Sequence, residues 1–130
     1  MNKRTSLVVV QDCIGRILLL KRSKTDDWMP GYWALPGGHV NLLESYKKAA
    51  KRELKEETNL IVRKMALVDK RNKNQIWLVY DWSGQVDLQK ASHGFEHSAF
   101  IWMYPEEIVL HPKVVPELKS WQHLMYLEKF

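Results

Sequence analysis

Apolar positions along this chain fall into two rhythms. SLVVVQD, Ser6 to Asp12, and RILLLKR, Arg16 to Arg22, are β-rich runs, and Cys13-Ile14-Gly15 between them predicts a hairpin with Gly15 at the turn. The stretch SKTDDWMPGYWALPGG, Ser23 to Gly38, is dense in Gly, Pro and Asp and predicts a long loop, with Tyr32 to Leu35 apolar enough for one short strand. Loops of this length in a compact domain usually carry function. The period then changes. Ser45 to Thr58 reads as a helix with Ser45 as N-cap and Asn59 at its end. Strands follow at about Leu60 to Asp69 and Gln75 to Trp82, turning at Lys73-Asn74, and at Ala99 to Tyr104. Pro105-Glu106-Glu107 opens another helix, and Val114 to Phe130 closes the chain as an amphipathic one with Leu118, Trp121, Leu124, Met125 and Leu127 inward. The expected architecture is α/β of the α+β kind, an α/β/α sandwich with a mixed sheet between the central helix and the C-terminal helix.

Composition changes this picture little. At 130 residues the chain is expected to form a single domain, residues 1–130, with a core that needs no staples. Its 20 basic and 15 acidic residues leave a net charge of +5, which suits an anionic substrate without demanding one. The lone Cys13 excludes an intrachain disulfide and points to a reducing, cytoplasmic setting. The apolar run Leu7 to Val10 is too short for a signal peptide or a membrane span, so no membrane partner is expected. No basic stripe interleaved with aromatics appears, so no DNA partner is expected either.

The central helix carries the chemistry. At about 100° per residue, Tyr46, Ala49, Ala50 and Leu54 mark the apolar arc, and Lys47, Lys48, Lys51 and Lys55 mark the opposite side. Glu53 and Glu57 nevertheless fall inside the apolar arc, with Glu56 at its edge. Carboxylates gathered inward raise one another's pKa unless a cation lies between them, and a hard divalent metal is the simplest such cation. Gly37 and Gly38 permit close approach of backbone to a ligand beside that platform.

Gly38, Glu44 after five residues, and Arg52-Glu53-Leu54-Lys55-Glu56-Glu57-Thr58-Asn59-Leu60 after seven more resemble the signature of the Nudix hydrolase family, MutT-like members included. Six fixed letters coincide by chance about 10⁻⁷ times per start position at average usage. Trp33 to Val40 is similar to the family's lead-in. Two departures stand out. Asn59 replaces the usual glycine of the box, a mild change where a left-handed residue is wanted, and Leu43 and Asn41 replace a glycine and an acid commonly found before Glu44.

The resemblance implies a magnesium-dependent pyrophosphohydrolase, with manganese as a possible substitute, that cleaves a nucleoside diphosphate linked to another moiety. The leading substrate is a nucleoside triphosphate, yielding monophosphate and pyrophosphate; nucleotide sugars or dinucleotides are the alternative, and a non-catalytic nucleotide- or RNA-binding sensor is a third reading. Glu53, Glu56, Glu57, the Gly37 carbonyl and Glu96 are the implied metal ligands. Glu53 doubles as base or water-positioner, with Arg52 and Glu44 completing the catalytic set. Arg22, Leu35 and Trp77 are the expected substrate contacts, with Lys24, Trp28 and Tyr32 as further candidates, and His93 and His97, which flank Glu96, are candidates for assisting proton transfer. The expected partner is a small nucleotide bound by a monomer or homodimer.

Overall fold

The computed structural model describes residues 3–120. In chain order it contains β1 (Thr5–Val10), β2 (Ile17–Arg22), β3 (Trp33–Ala34), β4 (Gly37–His39), α1 (Tyr46–Thr58), β5 (Ile61–Arg71), β6 (Asn74–Ser83), β7 (His97–Met103), α2 (Pro105–Leu110) and α3 (Pro116–Ser120). The class is α+β with a mixed sheet, as expected. The C-terminal helix is described only through Pro116–Ser120, with Leu118 buried; Trp121, Leu124, Met125 and Leu127 lie outside the described residues. No helix among the described residues is long and apolar enough to cross a membrane.

The strands form two sheets rather than one. A four-stranded mixed sheet runs β4-β1-β6-β5, and a three-stranded antiparallel sheet runs β3-β2-β7. The predicted β1/β2 hairpin is therefore corrected. Gly15 does sit at a turn, with φ of 90°, but β1 and β2 share one bridge, Gln11 to Ile17, before each joins its own sheet. Asp12 turns the chain by accepting from the Ile14 and Arg16 amides at 3.1 and 2.7 Å and from Arg16 Nε at 2.7 Å. The β5/β6 hairpin forms as read, one residue earlier at its turn, where Asn72 takes φ of 58°.

Alternation along the buried strands explains the layering. Val8, Val10, Leu18, Trp77 and Val79 face one side and pack with Ala50 and Leu54 of α1, while Val9, Leu19, Ile76 and Leu78 face the other and pack with Ile108 of α2 and Leu118 of α3. The unbroken apolar runs of β1 and β2 are what burial on both faces demands. On the α1 side, burial of Ala49 and Ala50 at 0% exposure brings the helix backbone close to the sheet and fixes where its glutamates emerge.

Candidate active site

Helix α1 is set at both ends by its own sequence. Ser45 accepts from the Lys48 amide at 3.1 Å, and Asn59 takes the left-handed conformation at φ of 73° while its amide donates to the Lys55 carbonyl at 3.0 Å. Glu53 and Glu57 are thereby presented to β4. Glu57 is 5% exposed, and one of its oxygens accepts from the Gly37 amide at 2.9 Å.

Both glycines of β4 lie against atoms that a side chain would meet. Gly37 has φ of 140°, and a Cβ there would run into the Ser6 carbonyl oxygen and stand 2.8 Å from Leu7 Cα, both backbone atoms of β1. A Cβ on Gly38 would stand 2.8 to 2.9 Å from the three carboxylate atoms of Glu53. The glycine loop and the acidic helix thus meet in direct contact.

Arg52 organises the rest. Its Nε and Nη2 donate to the two oxygens of Glu44 at 2.8 and 2.9 Å, its Nη1 donates to Glu53 at 3.0 Å and Glu56 at 2.9 Å, and Nη2 also reaches the His39 carbonyl at 3.0 Å. The fork across Glu44 is the bidentate geometry that favours arginine over lysine. Glu44 in turn accepts from the Asn41 amide at 3.0 Å, so it braces the loop before α1 rather than lining the cleft.

The electrostatics follow this arrangement. Arg52 first, with the Asn41 amide, holds Glu44 down to about 2. Burial raises Glu53 despite Arg52 beside it. Burial, reinforced by Glu53, Glu96 and Glu56, pushes Glu57 well above the usual carboxylate range, and the Gly37 amide works against the shift. Across the cleft, burial and then Arg22 lower His97 to about 4, so its ring is neutral near pH 7. His93 lies with Nδ1 3.4 Å from Glu56, and its amide donates to the Glu56 carbonyl at 2.7 Å, which ties the Gly94–Glu96 turn to the end of α1.

A cleft of about 810 Å³ opens over these groups, bordered by Gly37, Gly38, Glu53, Glu56, Glu57 and Glu96. Arg22 also lines it, though its Nη2 is paired to Asp26 at 2.8 Å and its Nε donates to the Trp28 carbonyl at 2.7 Å. An adjoining, more apolar cavity of about 490 Å³ shares Arg22, Gly37 and Gly38 and is walled by Leu7, Leu35, Val115 and Leu118, with Trp28 at its edge. Among the described residues no three acidic, imidazole or thiol groups close on a common point; Glu53 and Glu56 close on Arg52 instead. The donor set still fits a hard divalent ion. Every acidic group on the floor offers oxygen, and buried Glu57 has an amide but no cationic side chain among its hydrogen-bond partners.

The expected site residues separate accordingly. The structure brings together Gly37, Glu53, Glu56, Glu57, Glu96 and Arg22 in the cleft, and Leu35 in the adjoining cavity. Trp77 is not brought there: it is 8% exposed and packs beneath α1 with Val8, Val10 and Leu54, its indole Nε1 without a hydrogen-bond partner among the described residues. Lys24 is exposed and borders neither cavity, and Tyr32 packs on the core with Lys113 5.0 Å from its ring. Sequence reasoning missed Phe95, 78% exposed on the cleft rim, for which adjacency to Glu96 was the available signal; Asn41, noted as standing in place of an acid, borders the cleft.

Comparison with known proteins agrees with this geometry. The NUDIX domain model matches residues 1–124. A CTP pyrophosphohydrolase of Escherichia coli is 28% identical over 116 residues, covering 87% of this chain and 84% of that protein. A Xenopus laevis m7GpppN-mRNA hydrolase is 47% identical over 53 residues, 41% of this chain, which spans only 18% of that relative's length. In fold, the chain is similar to a MutT Nudix hydrolase from Burkholderia pseudomallei, with TM-score 0.74 and 23% identity over 96% of this chain and 98% of that one. A MutT protein from Bacillus halodurans gives TM-score 0.75 and 20% identity over 99% and 86%. The chain belongs to the Nudix family, whose hydrolases generally use divalent metal ions.

Proposed function

We propose that this Nudix chain is a magnesium-dependent pyrophosphohydrolase that converts a nucleoside triphosphate to its monophosphate and pyrophosphate. The observation that carries the reading is the acidic floor itself. Buried Glu57 and half-buried Glu53 sit against the Gly37-Gly38 strand, with Glu56 held beside them on Arg52, under a cleft that joins an apolar cavity. Holding repelling carboxylates inward costs stability, and a module that only binds nucleotide gains nothing from it. The similarity to the Escherichia coli CTP pyrophosphohydrolase over most of both chains supports a triphosphate.

Glu53, Glu56, Glu57, the Gly37 carbonyl and Glu96 would hold magnesium, which when bound neutralises phosphate charge and acidifies a water. The chain's own residues do the remaining work. Glu53 positions the water, takes its proton and so helps the water oxygen attack phosphorus, as a P–O–P bond breaks and its electron pair leaves with pyrophosphate. Arg52 keeps Glu53 and Glu56 aimed and Glu44 keeps Arg52 in place. Arg22, on exchanging Asp26 for phosphate, clamps the polyphosphate where the two cavities meet. Leu35, Leu7 and Val115 offer the base an apolar surface, with Trp28 available to stack.

The match to an m7GpppN-mRNA hydrolase over 53 residues favours a second reading, a dinucleotide-like substrate carrying a larger leaving group. Incubation with magnesium and a panel of nucleoside triphosphates, nucleotide sugars, ADP-ribose and dinucleotides, with pyrophosphate and mononucleotide release measured for each, separates the two. Pyrophosphate from triphosphates alone is the expected result. Release confined to dinucleotides selects the second reading, and saturable binding without turnover refutes both.

A further inference from the structure

Several locally unfavourable choices gather in the loop before α1 and along the exposed side of that helix. Leu42 and Leu43 are 89% and 98% exposed, side by side, at the tip of the loop before α1. Leu43 takes φ of 70°, a left-handed conformation in which a leucine Cβ is crowded by its own backbone. The first turn of α1 has Lys47 and Lys48 and no acid, against the sense of the helix dipole. Lys47, Lys51 and Lys55 follow at four-residue intervals, all exposed, so like charges stack along one ridge.

The N-terminal segment adds to this surface. Lys3 and Arg4 border the same shallow hollow as Leu42, beside His39, Val40 and Asn41. Arg4 is fixed there, its guanidinium 5.3 Å over the Tyr46 ring and donating to the Asn41 carbonyl at 2.9 Å. The acids of α1 point elsewhere, Glu53 and Glu57 into the cleft and Glu56 onto Arg52. Local rules broken together at one surface mark a functional patch more often than a structural one.

We propose that the Leu42-Leu43 tip and the basic ridge of Lys47, Lys48 and Lys51, with Lys3 and Arg4 beside it, form a docking surface for an anionic lipid bilayer. The charge calls for an anionic partner, and the two bare leucines call for one with an apolar layer a few ångströms below its charge; a bilayer interface offers both in one plane. Nucleic acid would satisfy the lysines alone, and among the described residues the patch presents no exposed aromatic on which a base could stack. The sequence argument against a membrane concerned a spanning segment, whereas this contact lies on the surface. His39 and Asn41 border both the hollow and the catalytic cleft, so docking would bring the cleft mouth to the lipid boundary.

Co-sedimentation of the full chain with phosphatidylcholine vesicles, with and without about one-third phosphatidylserine, tests this independently of any substrate. Binding is expected only to the anionic vesicles and is expected to fall steeply at high salt. The double variants Leu42→Ser/Leu43→Ser and Lys47→Gln/Lys48→Gln should each lose about tenfold or more in vesicle affinity. Both should keep the wild-type melting temperature within a few degrees and retain turnover of soluble nucleotide. Failure to bind anionic vesicles at low salt overturns the proposal. So does binding that the leucine pair leaves unchanged, or a single-stranded RNA that binds more tightly than the vesicles.

Discussion

Replacing Gly38 by alanine isolates the contact between the glycine strand and the acidic helix. The added Cβ would lie 2.8 Å from the Glu53 carboxylate carbon, where ordinary contact begins near 3.4 Å, so the carboxylate must retreat by about 0.6 Å. Glu53 is the far end of a flexible side chain, and Gly38 does not require a positive φ, so the fold can absorb the change. The retreat stretches the 3.0 Å bond from Arg52 Nη1 and costs about 1 kcal/mol, or about 4 °C in melting temperature for a chain of this size. Catalysis is less tolerant. Misplacement by 1 Å costs about a hundredfold, so kcat should fall by about ten- to thirtyfold. Initial rates across a magnesium series, alongside thermal unfolding, read both quantities. Gly37→Ala is the contrasting control, because its Cβ meets backbone atoms of β1 that cannot step aside, and it should lose the fold. Wild-type kcat in Gly38→Ala, or a loss of stability as large as that of Gly37→Ala, would refute the reasoning.

Other substitutions probe the remaining links. Glu57→Gln should abolish turnover and stabilise the metal-free protein at pH 8. The raised pKa of Glu57 means that its contribution to wild-type stability is complete below the unfolded value of 4.5 and is lost as pH rises through the folded one. The stability difference between Glu57→Gln and wild type should therefore be smallest near pH 4 and grow toward pH 8; urea titrations showing a pH-independent difference would count against a buried, uncompensated carboxylate. Arg52→Lys loses the fork across Glu44, and we expect about 2 kcal/mol lower stability and at least tenfold lower kcat, with retention of both ruling out Arg52 as the organiser. Leu43→Gly should raise stability by about 0.5–1 kcal/mol by relieving the left-handed leucine, and a loss on denaturant unfolding would show that Leu43 makes a contact that offsets its strain. Asn59→Gly should stay within about 0.5 kcal/mol of wild type, since both residues accept the C-terminal conformation of α1; a drop of several degrees in melting temperature contradicts this.

Local signals were the legible ones. The span of α1, its Ser45 cap, its Asn59 stop and the inward glutamates all follow from side chains acting within a few residues of themselves. The β5/β6 hairpin was legible for the same reason. Partners distant in sequence were not: nothing in Leu7 to Val10 says that β1 pairs with β4 and β6 rather than β2, because an apolar run buried on both faces fits any central place in a sheet. The strand at Gly37–His39 was hidden by its glycines, which read as a turn and sit where a Cβ would meet the β1 backbone or the Glu53 carboxylate. Trp77 illustrates the limit for the site. An aromatic in a strand reads equally as core or as contact, and the register that turns it beneath α1 depends on the whole sheet.

The parallel pairing of β1 with β6 sets an order of assembly. Thr5 pairs with Asn74, 69 positions away, whereas the β5/β6 hairpin closes through a short turn. Hairpins form in about microseconds, but closing a loop of about half the chain is slow, so β1 joins late. During synthesis its Val8-Val9-Val10 run would emerge early and wait, an unpaired edge for chaperones to shield, until β6 has been made. The Gly37 amide that holds Glu57 belongs to β4, which hydrogen-bonds to the other edge of β1, so the floor of the cleft takes its final place only once β1 is seated in the sheet. A chain interrupted on the way would carry its box residues in full and still be inert.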